Sequence, residues 1–215
     1  MTKQPTKKYP VKLDIDYPKK LNRLTTFFRV ILVIPILFIY SILTGAGSAI
    51  RSDNTITEDV IMGSGGIVVG LMVVVALMIL FRKRYPRWWY DFLLELNRFS
   101  MRVSAYFLLL TDKYPSTVDR QSVRLDLEYP NVNKDLQRGM PFIKWLLALP
   151  HYIVLVFLAV GAILATIIAW FAILFTGRYP KPLFDYVVGV SRWSLRVNAY
   201  TTLLITDEYP PFSLK

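Results

Sequence analysis

The residues best suited to chemistry in this 215-residue chain are four arginines and two aspartates that recur in one pattern. Asp91, Arg98 and Arg102 lie within "WYDFLLELNRFSMRV", and Asp185, Arg192 and Arg196 lie within "FDYVVGVSRWSLRV". With Glu95, the first set is spaced by four, three and four residues, which on a helix makes one narrow polar stripe. Paired guanidiniums on one face can hold an anion, a lipid headgroup or a partner's carboxylates through charge-assisted hydrogen bonds. Asp91 and Asp185 are acids or bases only in the loosest sense; the arginines beside them explain them better as ion-pair partners.

Composition removes most other chemistry. The chain has no cysteine, which excludes disulfides, thiolate metal sites and cysteine nucleophiles. Its one histidine, His151, follows Pro150 in an apolar run, where a hydrogen-bonded packing role is expected. No catalytic residue, cofactor or metal is expected, and the chain reads as a non-enzyme. A net charge of +11 would ordinarily point to nucleic acid. Here 54% of residues are hydrophobic and gathered in long runs. That combination points to a membrane protein whose basic residues face the cytoplasm and anionic lipid, with no nucleic-acid partner.

The arginine stripes belong to a larger recurrence. "VKLDIDYP" (Val11 to Pro18) returns as "VRLDLEYP" (Val123 to Pro130), and "RVILVIP" (Arg29 to Pro35) is echoed by "KWLLALP" (Lys144 to Pro150). "RYPRWWYDFLLELNRFSMRVSAYFLLLTDKYP" (Arg84 to Pro115) returns as "RYPKPLFDYVVGVSRWSLRVNAYTTLLITDEYP" (Arg178 to Pro210). A tandem duplication is the expected organisation. After a basic tail over 1–9, repeat 1 covers 10–116, a linker 117–121 and repeat 2 122–215. Each repeat opens on a short alternating segment, read as a strand that pairs with its copy or with another subunit.

The expected fold is an α-helical integral membrane protein: two transmembrane hairpins making four spans, two amphipathic cytoplasmic interfacial helices, and the two short strands. The basic, proline-broken N-terminus is not a cleavable signal peptide, so the first apolar run must act as its own insertion signal. In repeat 1 the spans are Val30 to Thr44 and Ile67 to Phe81, separated by an acidic extracytoplasmic insertion over 45–66. In repeat 2 the apolar run Phe142 to Phe175 would measure about 50 Å as one helix, so a tight membrane hairpin over 142–176, turning near Phe157 to Gly161, is expected. Basic flanks on both sides of that run place both termini in the cytoplasm.

Three placements of the amphipathic helices, 88–111 and 182–206, remain open. They lie in the cytoplasmic interface, or cross as third spans, or sit partly buried with their arginines converging on an anion, lipid headgroup or partner. Seven of the thirteen prolines follow a tyrosine. These pairs, Tyr85, Tyr114, Tyr179 and Tyr209 among them, read as interface posts where an element breaks at headgroup depth. Gly66 and Gly70, and Gly161 with Ala165, have the spacing of close helix-packing faces.

The stretch "FAILFTGRYPKPLFDYVVGVSRWSLRVNAYTTLLITDEYPPFSL" resembles the C-terminal signature of a bacterial membrane family catalogued as a domain of unknown function (number four-three-eight-nine). The first repeat is a looser copy, with Arg98-Phe99, no second proline and phenylalanine, and the insertion. The resemblance implies a multi-pass protein of the bacterial cytoplasmic membrane and supplies no activity. The functional expectation is a scaffold, anchor or accessory subunit whose basic cytoplasmic face binds anionic lipid, a protein partner or a second copy. The alternative is a small pseudo-symmetric channel or transporter.

Overall fold

Alternation of apolar and polar residues gives two strands, β1 (Val11–Ile15) and β2 (Val123–Leu127), and they pair with each other in antiparallel register. Val11 faces Leu127, Leu13 faces Leu125 and Ile15 faces Val123. Leu13, Ile15, Val123, Leu125 and Leu127 turn into the core, while Lys12, Asp14, Arg124 and Asp126 face outward. Two strands alone are marginal, so the apolar face must be covered. The computed structural model describes residues 9–44, 66–116, 121–132 and 136–215. All but the last residue of the expected tail and all but Gly66 of the expected insertion lie outside these residues, as does most of the linker.

Among the described residues, β1 is followed by α1 (Arg23–Phe27), α2 (Arg29–Thr44), α3 (Gly66–Arg82) and α4 (Arg87–Phe107). After β2 come α5 (Met140–Leu147), α6 (Leu149–Thr176) and α7 (Lys181–Thr201). The sheet is covered by the two amphipathic helices, β2 against α4 and β1 against α7. Helix α7 packs along α6, whose buried stripe is small: Ala162, Ala165 and Ala169 let the two helices approach.

Helices α4 and α7 stop short of the expected residues 111 and 206. Leu109 and Leu204 adopt left-handed backbone angles, φ 64° and 55°, and are buried. A leucine in that region costs about 1–2 kcal/mol, which burial of its side chain offsets. Both turns redirect the chain into the Thr-Asp-x-Tyr-Pro segment.

The four-span membrane fold is overturned. Among the described residues, one helix, α6, is long and apolar enough to cross a bilayer. Helices α2 and α3 have 16 and 17 residues, about 24–26 Å at the α-helical rise and short of the roughly 30 Å hydrocarbon core. The expected hairpin over 142–176 is a short helix, α5, then a single 28-residue helix that runs straight through 157–161. The break comes instead beside Pro150, which is tolerated in the first turn of α6. Phe157 to Gly161 lacks turn chemistry. Its glycine serves packing, since a Cβ there would stand 2.5 Å from Tyr186 Oη. The flanking-charge argument fails at Lys144, which is buried inside the fold rather than free at a membrane surface. The amphipathic helices do not lie apart in an interface either: α7 buries residues around most of its circumference, from Phe184 to Thr201.

Candidate functional site

The arginine stripes face the sheet. Arg98, on α4, donates from Nε to Leu125 O at 3.0 Å, and Arg192, on α7, donates from Nε to Leu13 O at 2.9 Å. Each reaches the central residue of the strand beneath it. Arg98 also pairs with Glu95 (2.7 Å) and Asp126 (3.3 Å), and Arg192 lies 3.9 Å from Asp14. One turn further along, Arg102 donates to Ser116 O, and Arg196 donates to Ser213 O (2.6 Å) and Lys215 O (2.8 Å). These guanidiniums satisfy backbone carbonyls of segments that follow their own helices. Burial pushes the Arg196 guanidinium below the usual arginine range, with the nearby Tyr9 opposing.

Asp91 and Asp185 are exposed and make no ion pair among the described residues. The carboxylates that meet the arginines are Glu95 and the strand residues Asp14 and Asp126. Between β1 and α7 lies a cleft of about 460 Å³ lined by Lys12, Arg124, Arg192, Arg196 and Lys215 against Asp14 and Asp126. Much of its charge is already matched, since Arg124 holds Asp14 at 2.7 Å and Asp16 at 2.6 Å.

A second pair of charged centres sits where the two long stretches close. Arg29 is buried, donates to Tyr106 O (3.0 Å) and Thr111 O (2.6 Å), pairs with Asp112, and stacks over the Tyr106 ring. Lys144 is buried, donates to Thr206 O at 2.7 Å, stands 2.7 Å from Asp207 Oδ1, and lies over the Tyr200 ring. The other carboxylate oxygen accepts a backbone N–H in both cases, from Asn22 to Asp112 (2.6 Å) and from Gln137 to Asp207 (2.5 Å). Burial pushes the Lys144 ammonium below the ordinary lysine range, and Asp207 opposes that. Sequence reasoning missed these residues as a unit. Both halves are visible in it, a basic residue six before a proline and a Thr-Asp before a Tyr-Pro, but no local spacing joins positions 63 and 83 residues apart.

The tyrosines divide. Tyr85 and Tyr179 are buried at the sheet ends, where Tyr129 Oη donates to Tyr85 O (2.6 Å) and Tyr17 Oη to Tyr179 O (2.5 Å). Tyr85 itself donates inward to Leu203 O at 2.6 Å. Burial pushes the Tyr179 phenol up to about 12. Tyr114 and Tyr209 are exposed. Of the small residues, Gly161 and Ala165 lie on the α6–α7 face, whereas Gly70 has open space around it and the surroundings of Gly66 lie outside the described residues. His151 packs, accepting from Trp193 Nε1 at 3.0 Å and stacking on Phe212.

Chemically, the arrangement clamps: fixed cations hold carbonyls and carboxylates so that strands, helix ends and terminal segments stay in register. Residues 139–213 match the family described as "Domain of unknown function (DUF4389)". The match takes in α5, α6, α7 and the closing Thr-Asp-Glu-Tyr-Pro-Pro-Phe segment, and with them Lys144, Arg192, Arg196 and Asp207. No curated protein and no solved structure matches the chain.

Proposed function

We propose that the chain is a tandem duplication forming a membrane-seated, non-enzymatic scaffold, anchor or accessory subunit, with α6 in lipid and the sheet with its arginine-bearing helices as the polar side. The observation that carries this reading is the surface of α6. It has 28 residues, about 42 Å of helix, yet only 17% of its most apolar window is buried within the fold. The core helix of a soluble protein would be covered. Here Phe157, Ile163, Ile167 and Phe171 stand exposed, as do Ile31 and Phe38 of α2 and Trp145 and Leu146 of α5. An apolar groove joins Ile163, Ile167 and Phe171 to Val30 of α2 and Phe107 of α4. Contiguous exposed apolar surface on that scale marks contact with lipid or a partner.

The duplication is supported by contacts that recur at corresponding positions: Arg98 with Leu125 and Arg192 with Leu13, Arg29 with Asp112 and Lys144 with Asp207. The scaffold reading is supported by what the charged groups do, since they hold the backbone in place and leave a polar face for anionic lipid or a protein partner. The proposed setting is the bacterial cytoplasmic membrane.

The test is alkaline carbonate washing of membranes from cells producing the chain, followed by mild-detergent purification and mass spectrometry of what travels with it. Retention in the washed pellet and a recurring partner are expected. Release by carbonate would contradict the membrane seat, and selective ion flux in proteoliposomes would contradict the scaffold.

A further inference from the structure

The C-terminal ends of α3 and α6 are built alike. Lys83 and Gly177 turn the chain left-handed there, at φ 48° and 71°, and their amides donate to Ile79 O (3.2 Å) and Ile173 O (2.7 Å). An arginine and a Tyr-Pro pair follow each turn, Arg84-Tyr85-Pro86 and Arg178-Tyr179-Pro180. A cleft opens beside each end. One, of about 690 Å³, is lined by Lys83 and Arg84; the other, of about 390 Å³, by Lys20, Arg23 and Arg178. No carboxylate lines either cleft.

These cations differ from most of the others described above, of which Arg102 and Arg196 also lack a carboxylate but are held by backbone carbonyls. Arg29, Arg98, Arg124, Lys144 and Arg192 each meet a carboxylate. Arg23 donates to Phe175 O at 3.0 Å, which satisfies a carbonyl of the last turn of α6. Lys20, Lys83, Arg84 and Arg178 make no ion pair with any described residue. Three residues before Arg84 and Arg178, at corresponding positions, stand Phe81 and Phe175, with 74% and 78% of their surface exposed. Each helix thus passes within one turn from a bare aromatic ring to unmatched positive charge.

We infer that each cleft is a phosphate site for an anionic lipid, with the cations on the headgroup phosphate and the apolar helix against the acyl chains. Lysine and arginine supply the charge and the donors that a phosphodiester accepts. The exposed phenylalanines favour a lipid over free phosphate, which would gain nothing from them. The inference rests on the membrane seat of α6.

The test is native mass spectrometry of the detergent-purified full chain titrated with phosphatidylglycerol, with phosphatidylcholine and inorganic phosphate as separate arms. The variants are Lys20→Gln/Arg178→Gln and Lys83→Gln/Arg84→Gln, whose side chains carry no ion pair needed for folding. The wild-type chain is expected to retain two phosphatidylglycerol molecules and no phosphatidylcholine. Each double substitution should weaken one site by about tenfold or more. Equal retention of phosphatidylglycerol by wild type and variants would overturn the inference, as would equal retention of phosphatidylcholine. Displacement of the lipid by dilute inorganic phosphate would overturn the lipid as the source of the phosphate. If the chain stays in carbonate-washed membranes while the variants keep their lipid, this inference fails alone; release from those membranes removes the reading beneath it.

Discussion

Lys144 Nζ stands 2.7 Å from Asp207 Oδ1 with no solvent exposure, at the position where Arg29 meets Asp112 in the first half of the chain. The pair fastens the start of the α5–α6 segment to the turn that follows α7. Asp207→Ala should therefore destabilise the fold by about 3–5 kcal/mol, because it leaves a buried ammonium without its partner. The double substitution Lys144→Met/Asp207→Leu should recover much of that loss. Thermal unfolding in detergent measures both, and an Asp207→Ala chain as stable as the wild type would remove the pair from the account.

Arg98 and Arg192 are sheet anchors. Arg192→Leu should cost about 1.5–3 kcal/mol, the range for a hydrogen bond to a charged group. It should also raise amide hydrogen exchange across β1 before the rest of the chain is affected, because Leu13 O loses its donor. Arg98→Leu should do the same at β2 through Leu125 O. Exchange that rises uniformly, or not at all, would mean that the strands do not depend on these arginines.

Alkali should unfold the protein through its buried phenols. Burial raises the Tyr179 phenol from 10.0 to about 12 and raises that of Tyr85 in the same direction. A raised folded value means that the native state holds the proton more tightly than the unfolded chain does. The associated stability is complete below about pH 10 and is lost as pH climbs through about 12. Tyrosinate absorbance should show the Tyr85 and Tyr179 phenols ionising above pH 10, together with loss of structure. Ionisation of every tyrosine near pH 10 in the folded state would contradict this packing.

Gly189 makes room for the C-terminal segment. A Cβ there would meet Leu214 Cβ and Leu214 O, each at 2.8 Å, and a carbonyl cannot rotate away as a side-chain tip can. Gly189→Ala should cost about 1–3 kcal/mol as an overpacking change. It should also loosen residues 211–215, which limited proteolysis would report as earlier loss of the C-terminus. An alanine variant as resistant as the wild type would show that this segment does not need the gap.

The strands were legible because alternation in Val11–Ile15 and Val123–Leu127 fixes which face is buried; repetition of the pattern offered each strand its copy or another subunit as partner, and the antiparallel pairing chose the copy. The amphipathic helices were legible as helices, while their setting was not. A stripe with arginines reads the same whether it faces headgroups or backbone carbonyls, and only the sheet beneath Arg98 and Arg192 decides between them. The span count failed for a related reason. Hydropathy registers Val30 to Thr44 and Phe142 to Phe175 as apolar, but helix length decides what can cross, and Lys144 counts as a flanking charge until its partner Asp207 is placed. The Thr-Asp centres went unread because each joins two motifs from distant parts of the chain.

The membrane seat of α6 can be measured by cysteine accessibility, since the chain has no cysteine of its own. Ile163→Cys places a thiol on the exposed apolar face of α6, and Asp185→Cys places one on the exposed polar side of α7. In native membranes, a charged maleimide should label Asp185→Cys once the membrane is permeabilised and leave Ile163→Cys unlabelled until detergent is added. Equal labelling of Ile163→Cys and Asp185→Cys before detergent would contradict the membrane seat of α6.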